Sequence, residues 1–168
     1  MSDALTHVGN RSHAHVVART AAGGLVLIRR VKSGRVYYVA PGVAIGDAET
    51  AGAAAERAAA EQLSLSVTVE DVVHAQVFGG VEHFFFTATV ESAAPVAWPA
   101  LTSDDFELHK DLDGSFEVCT LPAAQLLAHD VRPWELAKRL CRAQRTQDRA
   151  RYGADGRRLT ASDLAGLS

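Results

Sequence analysis

Apolar residues fall in short unbroken blocks over the first half of the chain, separated by glycine-bearing turns. His15–Arg19 and Leu25–Arg30 read as two strands joined at Gly23-Gly24, since glycine supplies the positive φ of a tight hairpin. Val36–Ala40 reads as a third strand after the Lys32-Ser33-Gly34 loop, and Pro41-Gly42 then breaks the pattern. Thr50–Leu63 is alanine-rich and predicts a helix with Thr50 as its N-cap. Strands are predicted at Ser66–Val69, Val72–Phe78 and Glu82–Val90, with Gly79-Gly80 as the turn between the last two. Residues 91–114 hold prolines and a run of acids, and read as a long loop. Phe116–Thr120 reads as a short strand. Leu121-Pro122 opens a helix to about Ala128, and Trp134 to about Arg151 reads as the last helix, with Pro133 near its start. Strands, helix, strands, helices in that order predict an α/β fold: a mixed sheet with helices packed against it.

Composition fits this picture. The chain's 168 residues suit one domain, here 13–151, with an N-terminal extension over 1–12 and a C-terminal tail over 152–168. With 48% apolar and 22% charged residues a real core can form. A net charge of -3 excludes a generally basic nucleic-acid binder, and 7% aromatics argue against broad base-stacking platforms. No stretch approaches the roughly 20 apolar residues of a membrane span, and Met1–Arg11 lacks the apolar segment of a secretion signal. Cys119 and Cys141 make no disulfide scaffold and no zinc spacing, so reduced thiols and a cytoplasmic location are expected. Charge is uneven: 132–158 holds nine basic and three acidic residues. Lys138, Arg142, Arg145 and Arg149 fall on one helical face, which is either a solvated surface or a dock for a partner or polyanion. Leu136 and Leu140 turn inward.

The stretch around the first helix, APGVAIGDAETAGAAAERAAAEQLSLSV over residues 40–67, resembles the Nudix signature. That signature is Gly, five residues, Glu, seven residues, then Arg-Glu-apolar-any-Glu-Glu-any-Gly-apolar. The frame runs from Val43 to Leu65. Glu49, Arg57 and Glu61 fall on named charged positions, and Pro41-Gly42 fits the entry to the loop. The departures are Val43 for the leading glycine, Ala58 for the glutamate after the arginine, Gln62 for the second paired glutamate, and Ser64 for the late glycine. About 125 residues, from His13 to near Leu140, follow the family's order of elements.

This resemblance implies a Nudix-like α/β/α sandwich with its mixed sheet between helices. It also implies magnesium or manganese held by carboxylates of the helix against a diphosphate, and a homodimer. In that frame Glu61 is a metal ligand helped by Gln62, Glu49 and Arg57 tie the loop to the helix, and Gly42 contacts substrate. At about 100° per residue, positions 58, 61 and 62 share a face, and here one carboxylate remains of three. A hard dication wants oxygen ligands, so hydrolysis is expected to be slow or absent unless other acids compensate. Candidates are Glu82, Asp104, Asp105, Glu107 and Glu117.

Other candidates come from residue chemistry. His83, beside Glu82, has a reference pKa of about 6.5 and suits general acid–base work. His13 and His15 share one side of a strand; His74 and His109 have no evident partner. Of Arg29 and Arg30, which alternate faces, one can meet a phosphate through its planar fork of donors. Cys119 on its strand is either core or a thiol nucleophile. Three functions follow: a hydrolase of a nucleoside diphosphate linked to another group, using magnesium or manganese; a repurposed biosynthetic enzyme with metal-free acid–base chemistry and no cofactor; or a module that binds a small molecule or partner without turnover. The expected partner is a small-molecule substrate, phosphate-containing in the hydrolase reading. Three or more acidic oxygens converging on Glu61 would favour the first, and a histidine-lined apolar pocket the second.

Overall fold

The computed structural model of the chain describes residues 12–90 and 115–151. The strands are β1 (His13–Thr20), β2 (Gly24–Lys32), β3 (Arg35–Val39), β4 (Gly42–Ala44), β5 (Val69–Phe78), β6 (Val81–Val90), β7 (Ser115–Pro122) and β8 (Val131–Arg132). The helices are α1 (Ala51–Leu63) and α2 (Trp134–Arg151), with a 3-10 helix at Ala123–Ala128. One eight-stranded mixed sheet runs β5-β6-β1-β2-β3-β8, with β4 on β1 and β7 on β2.

The unbroken apolar runs make sense because both faces of this sheet are covered. Ala14, Val16, Ala18, Val26 and Ile28 pack under α1, whose Ala54, Ala55, Ala58 and Ala59 are completely buried. Small side chains there let the helix lie close on β1. Val17, Leu25, Leu27 and Phe85 point the other way and meet Leu126, Leu136 and Leu140 from the 3-10 helix and α2. This is the expected α/β/α sandwich, and Leu136 and Leu140 turn inward as the periodicity of α2 predicts.

One feature of the topology shapes the site. β1 pairs with β2 only at Ala18↔Val26 and Arg19↔Leu25. Its N-terminal half pairs with β4 instead, at His13↔Ala44, Ala14↔Val43 and His15↔Gly42. On its other side β1 runs parallel to β6, which sets His13 beside His83 and His15 beside Phe85. The sheet therefore splits between β1 and β2, and Gly42 sits in the fork.

Several local expectations are corrected. The break at Pro41-Gly42 is followed at once by β4, too short to show any alternation. Ser66–Val69 is not a strand: residues 64–68 are irregular, Ser64 closes α1 with φ 54, and pairing starts at Val69. Register shifts at Val69/Val72 and Val72/His74 blur the period of β5. β7 continues through Pro122, so the helix expected from Leu121 is only the 3-10 helix at Ala123–Ala128. The loop over 91–114 and the tail over 152–168 lie outside the described residues.

Candidate functional site

Helix α1 begins where Thr50 accepts a hydrogen bond from the Ala53 N–H, the N-cap expected of it. Just upstream, Glu49 accepts from Nε and Nη2 of Arg57 at 2.9 Å each and from the Gly46 N–H at 2.9 Å. Arg57 Nη2 also donates to the Ala44 carbonyl at 2.9 Å. The loop between β4 and α1 is thus tied down by a two-pronged ion pair. The Arg57 hydrogen bonds, with the Gly46 N–H, hold the Glu49 carboxyl down at about 2, and the same contacts raise the Arg57 guanidinium above its ordinary value.

The three positions expected to share a metal face lie on neighbouring rows of α1 but differ in exposure and bonding. Glu61 points outward, its side chain 55% exposed, and lies 3.4 Å from Nη1 of Arg57. Ala58 is sealed in the core under α1. Gln62 is 1% exposed. Its Oε1 accepts from the Gly42 N–H at 3.1 Å and its Nε2 donates to the Gly42 carbonyl at 2.8 Å. The amide, expected to help hold a metal, clips α1 onto β4. Gly42, expected against substrate, is buried between this amide and the His15 ring; a Cβ added there would sit 2.1 Å from His15 Nδ1. Magnesium or manganese held by three carboxylates does not fit this face: one position has no donor, one donor is already bonded, and the third faces a guanidinium. Among the described residues no group of three or more His, Cys, Asp or Glu side chains could hold a metal ion.

Histidines gather on the opposite face. His15 Nε2 lies 2.9 Å from His83 Nδ1, and His15 Nδ1 lies 3.4 Å from the Ala40 carbonyl. The His83 ring stacks on His13 (centroids 5.0 Å apart) and on His15 (5.2 Å), while His15 stacks on Phe85 at 4.4 Å. His83 is half-buried, and burial pushes its pKa below the ordinary value of 6.5. Strand alternation sends Glu82 to the α1 face and His83 to the α2 face, so these neighbours do not form one site. Glu82 is exposed and accepts from the Ser12 hydroxyl at 3.4 Å. The pairing of His83 with His15, 68 residues apart, is not readable in sequence. The available signal was the spacing of His13 and His15 beside a strand that opens on a histidine.

Arg30 faces the α1 side and is 1% exposed. Its guanidinium carbon lies 4.4 Å from the Phe116 ring centre and 5.2 Å from that of Tyr37. Arg132, paired with Asp130 at 2.7 Å, covers Tyr37 at 4.2 Å. Nε and Nη1 of Arg30 have no hydrogen-bond partner among the described residues, and burial lowers its pKa. Arg29 points to the other face, where Glu117 lies 3.6 Å away, so Glu117 is not beside Glu61. Burial pushes the Cys119 thiol up to about 11, which keeps it protonated. His74 is buried, with Nε2 at 3.2 Å from Gln76 Oε1. On α2, Lys138 pairs with Glu135 at 2.6 Å, and Arg142 and Arg145 are exposed. Asp104, Asp105, Glu107 and His109 lie outside the described residues, and the side chain of Arg149 is likewise not described.

A split mixed sheet between helices, with an Arg57–Glu49 tie at the head of the first helix, is the Nudix fold. Solved structures similar to this chain carry the same architecture. A Caenorhabditis elegans Ap4A hydrolase is similar at 12% identity and TM-score 0.59, over 81% of this chain and 98% of that one. A Mycobacterium smegmatis Nudix hydrolase, RenU, is similar at 20% identity and TM-score 0.53, over 82% and 86%. An Escherichia coli dihydroneopterin triphosphate pyrophosphohydrolase is similar at 12% identity and TM-score 0.55, over 77% and 91%. No protein-family model matches the chain, and no curated protein matches it by sequence. No helix among the described residues is long and apolar enough to cross a membrane.

Proposed function

We propose that this chain takes a phosphate-bearing small molecule on the α1 face and handles it without the dication chemistry of the signature helix. The observation that carries this reading is Arg30, a buried guanidinium with Nε and Nη1 unbonded among the described residues. A buried cation without a counter-charge is costly, and oxyanion oxygens accepting from those N–H groups, which lie on different edges of the guanidinium, lower that cost. Two supports stand beside it. The Gln62–Gly42 clip and the buried Ala58 leave Glu61, beside Arg57, as the one carboxylate at the three signature positions. The Ap4A and dihydroneopterin triphosphate enzymes of similar fold act on phosphate-bearing compounds, as their names state. A nucleoside diphosphate linked to another group remains the reference ligand.

The test is thermal melting with inorganic phosphate, pyrophosphate or ADP, each in a chelator, alongside phosphate release from nucleoside diphosphate compounds with and without manganese. A rise in melting temperature that survives the chelator is expected, lost in Arg30→Met. Arg30→Met is also expected to melt no lower than the parent when ligand is absent, because it removes an unpaired buried charge. Manganese-dependent release abolished by Glu61→Gln would restore the hydrolase reading. Phosphate stabilisation unchanged in Arg30→Met would remove Arg30 from the site.

A further inference from the structure

The histidine cluster lies on the opposite face of the sheet from Arg30, and nothing in the phosphate reading uses it. Its geometry is a chain of three contacting groups: the Ala40 carbonyl, His15 and His83. A carbonyl oxygen only accepts, so Ala40 assigns the proton of His15 to Nδ1. Neutral His15 then has a lone pair on Nε2, and the 2.9 Å contact places a donor N–H on Nδ1 of His83. That leaves Nε2 of His83 as a lone pair. Each ring is held in place: His15 between Phe85 and the Cα of Gly42, where no larger residue fits, and His83 against the faces of His13 and His15. The groups facing His83 are His13 and His15 from β1 and Gln76 from β5, with exposed Glu82 adjacent in sequence but directed to the other face. Among the described residues no carboxylate is paired with His83, so nothing there raises its basicity out of range, and burial favours the neutral ring at pH 7.

We propose that His83 is a general base, with Nε2 as the proton acceptor and His15 as the positioning residue that fixes its tautomer. The substrate class is a small molecule presenting an O–H or N–H. The proton leaves that group for Nε2, giving an imidazolium whose Nδ1–H stays on His15, while His15 Nδ1–H stays on Ala40. The orienting logic, carbonyl to imidazole to imidazole, is that of a base held by a third group.

The test needs no ligand and stands apart from the Arg30 reading. Nitrogen-15 NMR reports the tautomer, and diethyl pyrocarbonate, which acylates unprotonated imidazole nitrogen, reports its reactivity by mass spectrometry. The parent protein is expected to show an unprotonated Nε2 on His83 at pH 7, and carbethoxylation there faster than on N-acetylhistidine. His15→Phe keeps a ring against Phe85 but removes both nitrogens. It is expected to shift His83 to the Nε2–H tautomer and slow its acylation about tenfold, the equivalent of one ordinary hydrogen bond. A proton on Nε2 of His83 in the parent protein overturns the proposal, whatever the variant does. A His15→Phe protein that keeps both tautomer and rate overturns the role of His15.

Discussion

Replacing Gln62 by glutamate separates the two uses to which this helix position can be put. In the folded protein the Gln62 amide donates to the Gly42 carbonyl at 2.8 Å and accepts from its N–H at 3.1 Å, at 1% exposure. A carboxylate can still accept from the N–H, but its second oxygen then faces a carbonyl oxygen with no hydrogen between them. Protonation relieves this, because a carboxylic acid donates where the amide did. The cost at neutral pH is therefore bounded by the cost of holding that proton. From an ordinary pKa of about 4.3 up to pH 7 this is about 2.7 units, or at most about 3.7 kcal/mol. For a chain of this length that upper bound corresponds to a melting temperature roughly 7–15 °C below the parent. The sign follows from a folded-state pKa raised above the unfolded one: the loss is absent below about pH 4.3 and grows as pH rises. At pH 5 only about 1 kcal/mol should remain. The assay is scanning fluorimetry of Q62E at pH 5 and pH 7, in chelator and in millimolar manganese. Manganese is expected to recover part of the loss at pH 7, since a cation can sit between carboxylate and carbonyl. Gln62→Leu, which loses both hydrogen bonds, should show a deficit that neither acid nor manganese repairs. The reasoning is refuted if Q62E melts within about 2 °C of the parent at pH 7 in chelator, or if its deficit is the same at both pH values.

Glu49→Gln should cost about 1–2 kcal/mol at pH 7, less than the full shift in pKa implies because Arg57 is 38% exposed and solvent screens the pair. With the Glu49 carboxyl held at about 2 against an ordinary 4.5, the stability it contributes is present above about pH 4.5 and is lost as pH falls through 2. Urea unfolding at pH 7 and pH 3 should show the gap between parent and variant narrowing in acid. Gly42→Ala should lose about 1–3 kcal/mol in the same assay, because its Cβ would lie 2.1 Å from His15 Nδ1 and the ring must move away from His83. Glu61→Gln should change stability by less than about 0.5 kcal/mol, since Glu61 contributes one exposed contact to Arg57; a larger loss would point to a role beyond that pair.

What could be read in the sequence was local. The Glu49–Arg57–Glu61 spacing is visible because one loop and two helical turns bring those residues together, and α1 is visible from its alanines and Thr50. β4 and β8, three and two residues long, carry no period to detect. The Gln62–Gly42 clip and the His15–His83 contact depend on how β4 inserts beside β1 and on the parallel register of β1 with β6. The departures at Ala58 and Gln62 were plain to see, but what those side chains do in the fold was not. At position 58 the structure puts a methyl group into a fully packed alanine layer, and at position 62 an amide that satisfies both polar groups of Gly42. The two side chains are linked physically. A buried carboxylate at 62 needs a cation or a proton beside it, and Ala58 offers such a cation no additional oxygen. Once position 58 is apolar, the amide is the side chain of matching length that closes the Gly42 pair without a charge. The Gln62–Gly42 hydrogen bonds and the alanine layer of α1 on β1 then hold the helix beside the fork between β1 and β2.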